Sequence, residues 1–256
     1  MKAFFKNTTL ILLLIASLFI ISCKKKDTST TPVIPMGALY FHIHTDINNT
    51  EVTVDSTGID ASGRHFKMSL SQFYISGIVL TKSDGTTVPA SNVYLLKTNG
   101  TQVYYVDSVP PATYSSMSFN IGIDAATNAK DPTTFIATSP LYLQNPSMWF
   151  SSTSLGYMFM NVQGMADTSS ANNGAVNYPF TYQGGVDSLI RTVTLNSKAF
   201  TISSSAALTI DIIADYGKLF QGISFKSFAS YSLTPYTNPS VAVQIANNIP
   251  GMFHYQ

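Results

Sequence analysis

From Gly37 onward, apolar side chains recur at every second position in short runs, and this spacing limits the fold more than any other feature of the chain. In 37–44, Leu39, Phe41 and Ile43 alternate with Tyr40, His42 and His44. A pleated strand puts successive side chains on opposite faces, so the pattern predicts one buried face and one that meets solvent. Similar stretches follow at 66–80 (two runs around Ser71-Gln72), 93–96, 102–107, 113–123, 156–163, 189–195 and 206–213. Gly, Asn, Asp and Pro lie between them, with Asp84-Gly85 as a hairpin signal. Ser and Thr are abundant and Glu occurs once, at Glu51, a composition that suits strands and turns over long surface helices. The expected fold is all-β: a single antiparallel β-sandwich domain over 37–256, with long loops at 124–154 and 166–179. One short C-terminal helix is expected at 240–249, with Val241, Ile245 and Ile249 on one face.

The first residues predict an envelope location. Lys2 and Lys6 precede an apolar run at 10–21, too short to span a bilayer comfortably and typical of a signal peptide. Cys23, the chain's one cysteine, follows Ile20-Ile21-Ser22, as in a bacterial lipobox. Residues 1–22 are therefore expected to be a lipoprotein signal peptide, Cys23 the lipidation site, and 23–36 the lipidated cysteine with a flexible tether. Lys24, Lys25 and Lys26 would meet anionic headgroups, ahead of the Ser/Thr/Pro run at 27–35. The expected setting is the cell envelope, at the outer membrane, periplasmic or surface-exposed. With Cys23 lipidated, no thiol remains for a disulfide, a thiolate metal site or a nucleophile.

Charge and motifs narrow the function. The net charge is +1, and five of the 14 Lys+Arg lie in the first 26 residues, so the body carries no basic footprint for nucleic acid. There is no phosphate-cradling Gly loop, no G-x-S-x-G and no H-E-x-x-H, and a single Glu leaves little for paired-carboxylate chemistry. The chain is not expected to be an enzyme. One constellation can carry chemistry: His42-Ile43-His44. Residues two apart on a strand share a face about 6.5 Å apart, so two imidazoles can converge on one copper or zinc ion, or simply line a solvated face. Met148 and Trp149, the one tryptophan, sit in the first long loop, where an aromatic either plugs the core or contacts a ligand.

The order of these pieces resembles the MbnP-like family, copper-binding envelope proteins common among lipoproteins of Bacteroidota. The resemblance rests on the G-x-L-x-F opening strand, on LSQFYISGIVL at 70–80, on VPPATY at 109–114 and on SFNIGID at 118–124. It continues with Met148-Trp149 ahead of GYMFMNVQG at 156–164, and with IANNIPGMF at 245–253. It implies a β-sandwich that holds copper through histidines, assisted in some members by a tryptophan oxidised to kynurenine by a partner protein. Carried onto this chain, the histidine is His42 or His44, and the tryptophan is Trp149, displaced by about one residue from the family's pattern. A second family histidine follows F-x-Y, but here Phe180-Thr-Tyr182 is followed by Gln183, a poor donor to Cu(I). That leaves two alternatives: a copper site rebuilt from His42, His44 and Met148, or a metal-free module that binds glycan or protein partners. The resemblance also implies a copper-delivery partner.

Overall fold

The structure, a computed structural model, describes residues 35–90, 92–97, 103–227 and 236–256. The signal peptide, Cys23 and residues 24–34 of the tether lie outside the described residues. In chain order the strands are β1 (Gly37–Ile47), β2 (Thr50–Glu51), β3 (Thr57–Ile59), β4 (His65–Lys82), β5 (Thr87–Ala90), β6 (Tyr94–Lys97) and β7 (Val103–Val109). They continue as β8 (Ala112–Ile121), β9 (Met160–Ala166), β10 (Tyr178–Gly184), β11 (Arg191–Leu195), β12 (Phe200–Ile202), β13 (Ala207–Asp215) and β14 (Phe253–Tyr255). Among the described residues the α-helices between them are α1 (Ala125–Asn128), α2 (Tyr216–Leu219) and α3 (Pro239–Met252).

The strands form two sheets, the β-sandwich that the alternation predicts. A five-stranded sheet runs β14-β13-β1-β2, with β7 also on β1; a nine-stranded sheet runs β10-β9-β4-β8-β11, with β3, β5 and β6 on β4 and β12 on β8. The apolar face of β1 (Leu39, Phe41, Ile43) joins Phe73, Ile75, Phe119 and Val193 of the larger sheet in the main core. Phe119 ties the sheets together: its ring centroid lies 6.2 Å from Phe41 and 5.5 Å from Phe253. The helix α3 buries Ala242, Ile245, Ala246, Ile249 and Met252 against the same core, and its start is capped by Asn238, whose side chain accepts from Val241 N.

Two features exceed what the alternation predicts. The runs around Ser71-Gln72 are one strand of 18 residues, β4, which both buried faces keep continuous. It kinks at a register shift between Ser76 and Val79, where Gly77 takes φ +57°. A Cβ there would stand 2.7 Å from the Asn120 side chain. Gly77→Ala is expected to lower stability by about 1–2 kcal/mol, read as a lower denaturant midpoint at unchanged slope. The second feature is a parallel pair, β1 with β13, in an otherwise antiparallel set. A parallel neighbour requires a long crossover, and here the crossover is most of the larger sheet.

The long loop before β9 packs on the face of β4 turned away from the main core. There Tyr74, Ile123, Leu141, Met148, Tyr157, Met158 and Phe159 form a second cluster, with Trp149 and Phe150 half-buried against it. Two tyrosine hydroxyls pin the loop: Tyr74 donates to Pro140 O at 3.1 Å and Tyr157 to Leu141 O at 2.8 Å.

Candidate metal centre

The parallel pairing builds the site. Its register places His42 opposite Asp211 and His44 opposite Ile213. Because Leu39, Phe41 and Ile43 face the core, His42 and His44 project from the other face of the five-stranded sheet, as Asp211 does between buried Ile210 and Ile212. His42 Nδ1–H donates to Asp211 Oδ1 at 2.8 Å, and His44 Nε2 lies 3.5 Å from the same oxygen. The imidazole centroids are 4.2 Å apart, tilted by 56°. One ligand atom from each of the three residues lies within 4.8 Å of the others. The side chains are 33% (His42), 13% (His44) and 48% (Asp211) exposed, so the cluster is held on one side by the sheet and open on the other.

The carboxylates around the histidines come from local turn chemistry. Asn48 and Asn49 have φ of 54° and 56°, and β1 and β2 pair Ile47 with Thr50, which is a two-residue hairpin loop with both central residues left-handed. Asp215 fastens this turn, accepting from Asn48 N at 2.8 Å and Asn49 N at 3.3 Å, and it also caps α2 through Gly217 N at 2.8 Å. The hairpin returns Glu51 to within 3.7 Å of His44 Nδ1. Asp46, next on the histidine face of β1, is buried and in register with both Asp215 and Glu51. Burial, and then the Asp215 and Glu51 charges, push its carboxyl above the usual range, while His44 and His254 pull the other way. Asp211 moves in the opposite sense. The hydrogen bond from His42 is the largest cause; partial burial opposes it, and His44 adds to it, so the carboxyl is held below the usual range and is ionised at neutral pH.

Two imidazoles and an ionised carboxylate suit a metal ion. Four-coordinate bonds of about 2.0–2.2 Å put neighbouring donors roughly 3.4 Å apart, and Asp211 Oδ1 lies 2.8 and 3.5 Å from nitrogens of the two histidines. A cation held here would need an unprotonated nitrogen from each imidazole, with the remaining ring proton on the other nitrogen, so acid strong enough to protonate both nitrogens opposes binding.

The structure brings His42 and His44 together and places Met148 and Trp149 elsewhere. Both of the latter belong to the second cluster, on the far face of the nine-stranded sheet, with the main core between them and the histidines. Gln183 shares that far face. Register aligns Lys97, Gln72, Asn161 and Gln183 across β6, β4, β9 and β10, and Asn161 Nδ2 reaches Ser147 O in the Met148–Trp149 loop at 3.5 Å. Gln72 Oε1 and Trp149 Nε1 are both buried without a hydrogen-bond partner. Of the other histidines, His65 opens β4 and lies near Asp167, away from the site. His254 pairs with Ile213, two strands from His44 in the same row, roughly 10 Å away.

Sequence reasoning missed Asp211 and Glu51. Asp211 is the one charged residue within an apolar alternation, which is a signal, but its partner strand lies far away in sequence. The Asn48-Asn49 pair is the signal that brings Glu51 back.

Comparison with known proteins agrees with the fold. No curated protein matches the chain. Among solved structures, MbnP from Methylosinus trichosporium matches with a TM-score of 0.50 at 12% identity, over 73% of this chain and 78% of that one. The likeness is one of fold. The MbnP family profile matches residues 36–237, most of the sandwich including β1 and β13, and the chain therefore belongs to the MbnP family.

Proposed function

We propose that the chain is a lipid-anchored copper-binding protein of the cell envelope that sequesters copper or hands it on, with His42, His44 and Asp211 as its metal centre. The observation that carries this reading is the convergence of two imidazoles and a carboxylate within 4.8 Å on the open face of the smaller sheet. Family membership supports the copper-related role. The residues of the chain would hold the metal, with one ring nitrogen each from His42 and His44 and an Asp211 oxygen as donors. Met148 and Trp149 are not part of this centre. If a partner protein oxidises Trp149, it does so on the other face of the sandwich. No catalytic role is assigned to any residue.

The purified protein, equilibrated with copper and then desalted, is expected to retain one metal ion per chain by elemental analysis. Retention of none would sink the reading. The anchor has its own test: metabolic labelling with a fatty acid is expected to tag the native protein and not Cys23→Ser, and equal labelling of the two, or of neither, would remove the lipid anchor at Cys23.

The metal-free alternative also has an observation behind it. A cavity of about 480 Å³ beside β6 is lined by Tyr94, Lys97, Tyr104 and Gln144, with Lys97 Nζ donating to Gln144 Oε1 at 3.3 Å. Aromatic rings with convergent polar groups suit a glycan or peptide. Failure to retain metal would favour that reading.

A further inference from the structure

The donors at this site differ in hardness, and that bears on which ion they select. Soft monovalent copper favours thiolate, thioether and imidazole donors, whereas a carboxylate suits divalent ions. Here the third donor is Asp211 Oδ1, 2.8 Å from His42 Nδ1 and 3.5 Å from His44 Nε2. The candidate soft donor, Met148, is 1% exposed in the second cluster, on the other side of the main core. Among the described residues, the cluster around the histidines offers nitrogen and oxygen donors.

The charge around the site points the same way. Glu51 Oε1 lies 3.7 Å from His44 Nδ1, and Asp46, buried on the same face, is in register with Glu51 and Asp215. A divalent ion feels the field of these carboxylates twice as strongly as a monovalent one, while its attraction to neutral imidazole does not depend on them. The half-exposed side of Asp211 leaves a coordination position open to water, which a divalent ion fills readily.

We propose that Asp211 makes the His42–His44 centre a divalent-cation site, which takes Cu(II) or Zn(II) in preference to Cu(I). This rests on the reading that the two imidazoles bind metal, and it adds the charge state of the ion. An ion held at His42 Nδ1 would take the place of the hydrogen bond to Asp211, with the ring proton moving to Nε2 and the Asp211 oxygen turning to the ion.

The test uses the full chain, titrated with Cu(II), with Zn(II) and, anaerobically under reductant, with Cu(I), each against a competing chelator. The native protein, Asp211→Asn, Asp211→Glu and His42→Ala/His44→Ala are compared. Asp211→Asn is expected to weaken Cu(II) and Zn(II) about tenfold or more and Cu(I) less than threefold. Asp211→Glu restores the carboxylate and is expected to recover most of the divalent affinity. The Cu(II) electron paramagnetic resonance spectrum is expected to change between native protein and Asp211→Asn, which a merely structural role for Asp211 would not produce. Equal weakening of all three ions by Asp211→Asn, or no weakening, overturns the divalent preference while histidine-dependent binding still stands. Binding that survives His42→Ala/His44→Ala, or no binding by the native protein, overturns the underlying site as well.

Discussion

Replacing His42 and His44 together with alanine is expected to lower metal affinity by more than about 100-fold, since losing even a residue that only supports a ligand costs 10- to 100-fold. Two of the three converging donors disappear, and the remaining Asp211 is half-exposed and already well solvated. The fold should survive. Both side chains project from the outer face of β1, while Leu39, Phe41 and Ile43 on its inner face carry the packing. The double variant is therefore expected to stay within about 1 kcal/mol of the native stability. Isothermal titration beside thermal melting separates the two quantities. A variant that binds as tightly as the native protein contradicts the site, and one that fails to fold contradicts the placement of the histidines outside the core.

The second large effect concerns stability at the other end of the sandwich. Asp60, 5% exposed, accepts from Ser62 N and Oγ, from Arg64 N and from Arg64 Nε at 2.8 Å. Arg64 also donates to Ile223 O and to Phe220 O, and its guanidinium lies 4.3 Å over the Phe225 ring. One buried ion pair thus ties the β3–β4 turn to the segment after α2. Arg64→Ala leaves the Asp60 charge buried without its cation and frees two carbonyls, so a loss of about 3–5 kcal/mol is expected. The pH dependence follows from the carboxyl. Burial alone would raise the Asp60 pKa, but the Ser62 and Arg64 hydrogen bonds and the Arg64 charge together hold it below the usual value. A depressed folded-state pKa contributes stability that is present above the unfolded value and is lost as pH falls through the folded one, so the native protein weakens below about pH 4. Arg64→Ala removes the Arg64 charge and its side-chain hydrogen bond, which both lower the Asp60 pKa, so the carboxyl takes up its proton at a higher pH than in the native protein and the variant is relieved by acid. Its deficit should therefore shrink as the pH is lowered. Urea unfolding of both proteins between pH 3 and pH 7 measures this, and a deficit that grows towards acid would contradict it.

These residues also mark how far the sequence can be read. The sandwich was legible because strands with one buried face must alternate, and 37–44 does so throughout while 208–212 does so around Thr209 and Asp211. The helix at α3 showed through its 3.6-residue spacing, though it extends further, over Pro239–Met252. Strand β10 was not legible. Residues 166–179 carry the Asn172-Asn173-Gly174 turn signal, and Tyr178-Pro179 at the strand start reads as part of that loop. Its pairing with β9, Tyr178 opposite Ala166, becomes visible only in three dimensions.

Two of the three donors of the metal centre were legible as well. His42 and His44 declare themselves because a period-two strand puts them on one face. Asp211 joins them only because β13 lies parallel to β1 after a crossover through the larger sheet, and local sequence carries no trace of that neighbour. The loop residues show the converse. Met148 and Trp149 were joined to the histidines only through the family resemblance, and the core between the two sheets separates the faces they occupy.

The most direct measurement is anomalous diffraction at the copper edge from crystals of the copper-loaded protein. The predicted result is one strong peak on the outer face of the five-stranded sheet, within about 2.2 Å of a nitrogen of His42 and of His44, with an Asp211 oxygen completing the set. A peak instead beside Met148 and Trp149, along the row of Gln72, Asn161 and Gln183, would contradict the assignment of the metal centre to the β1–β13 strand pair.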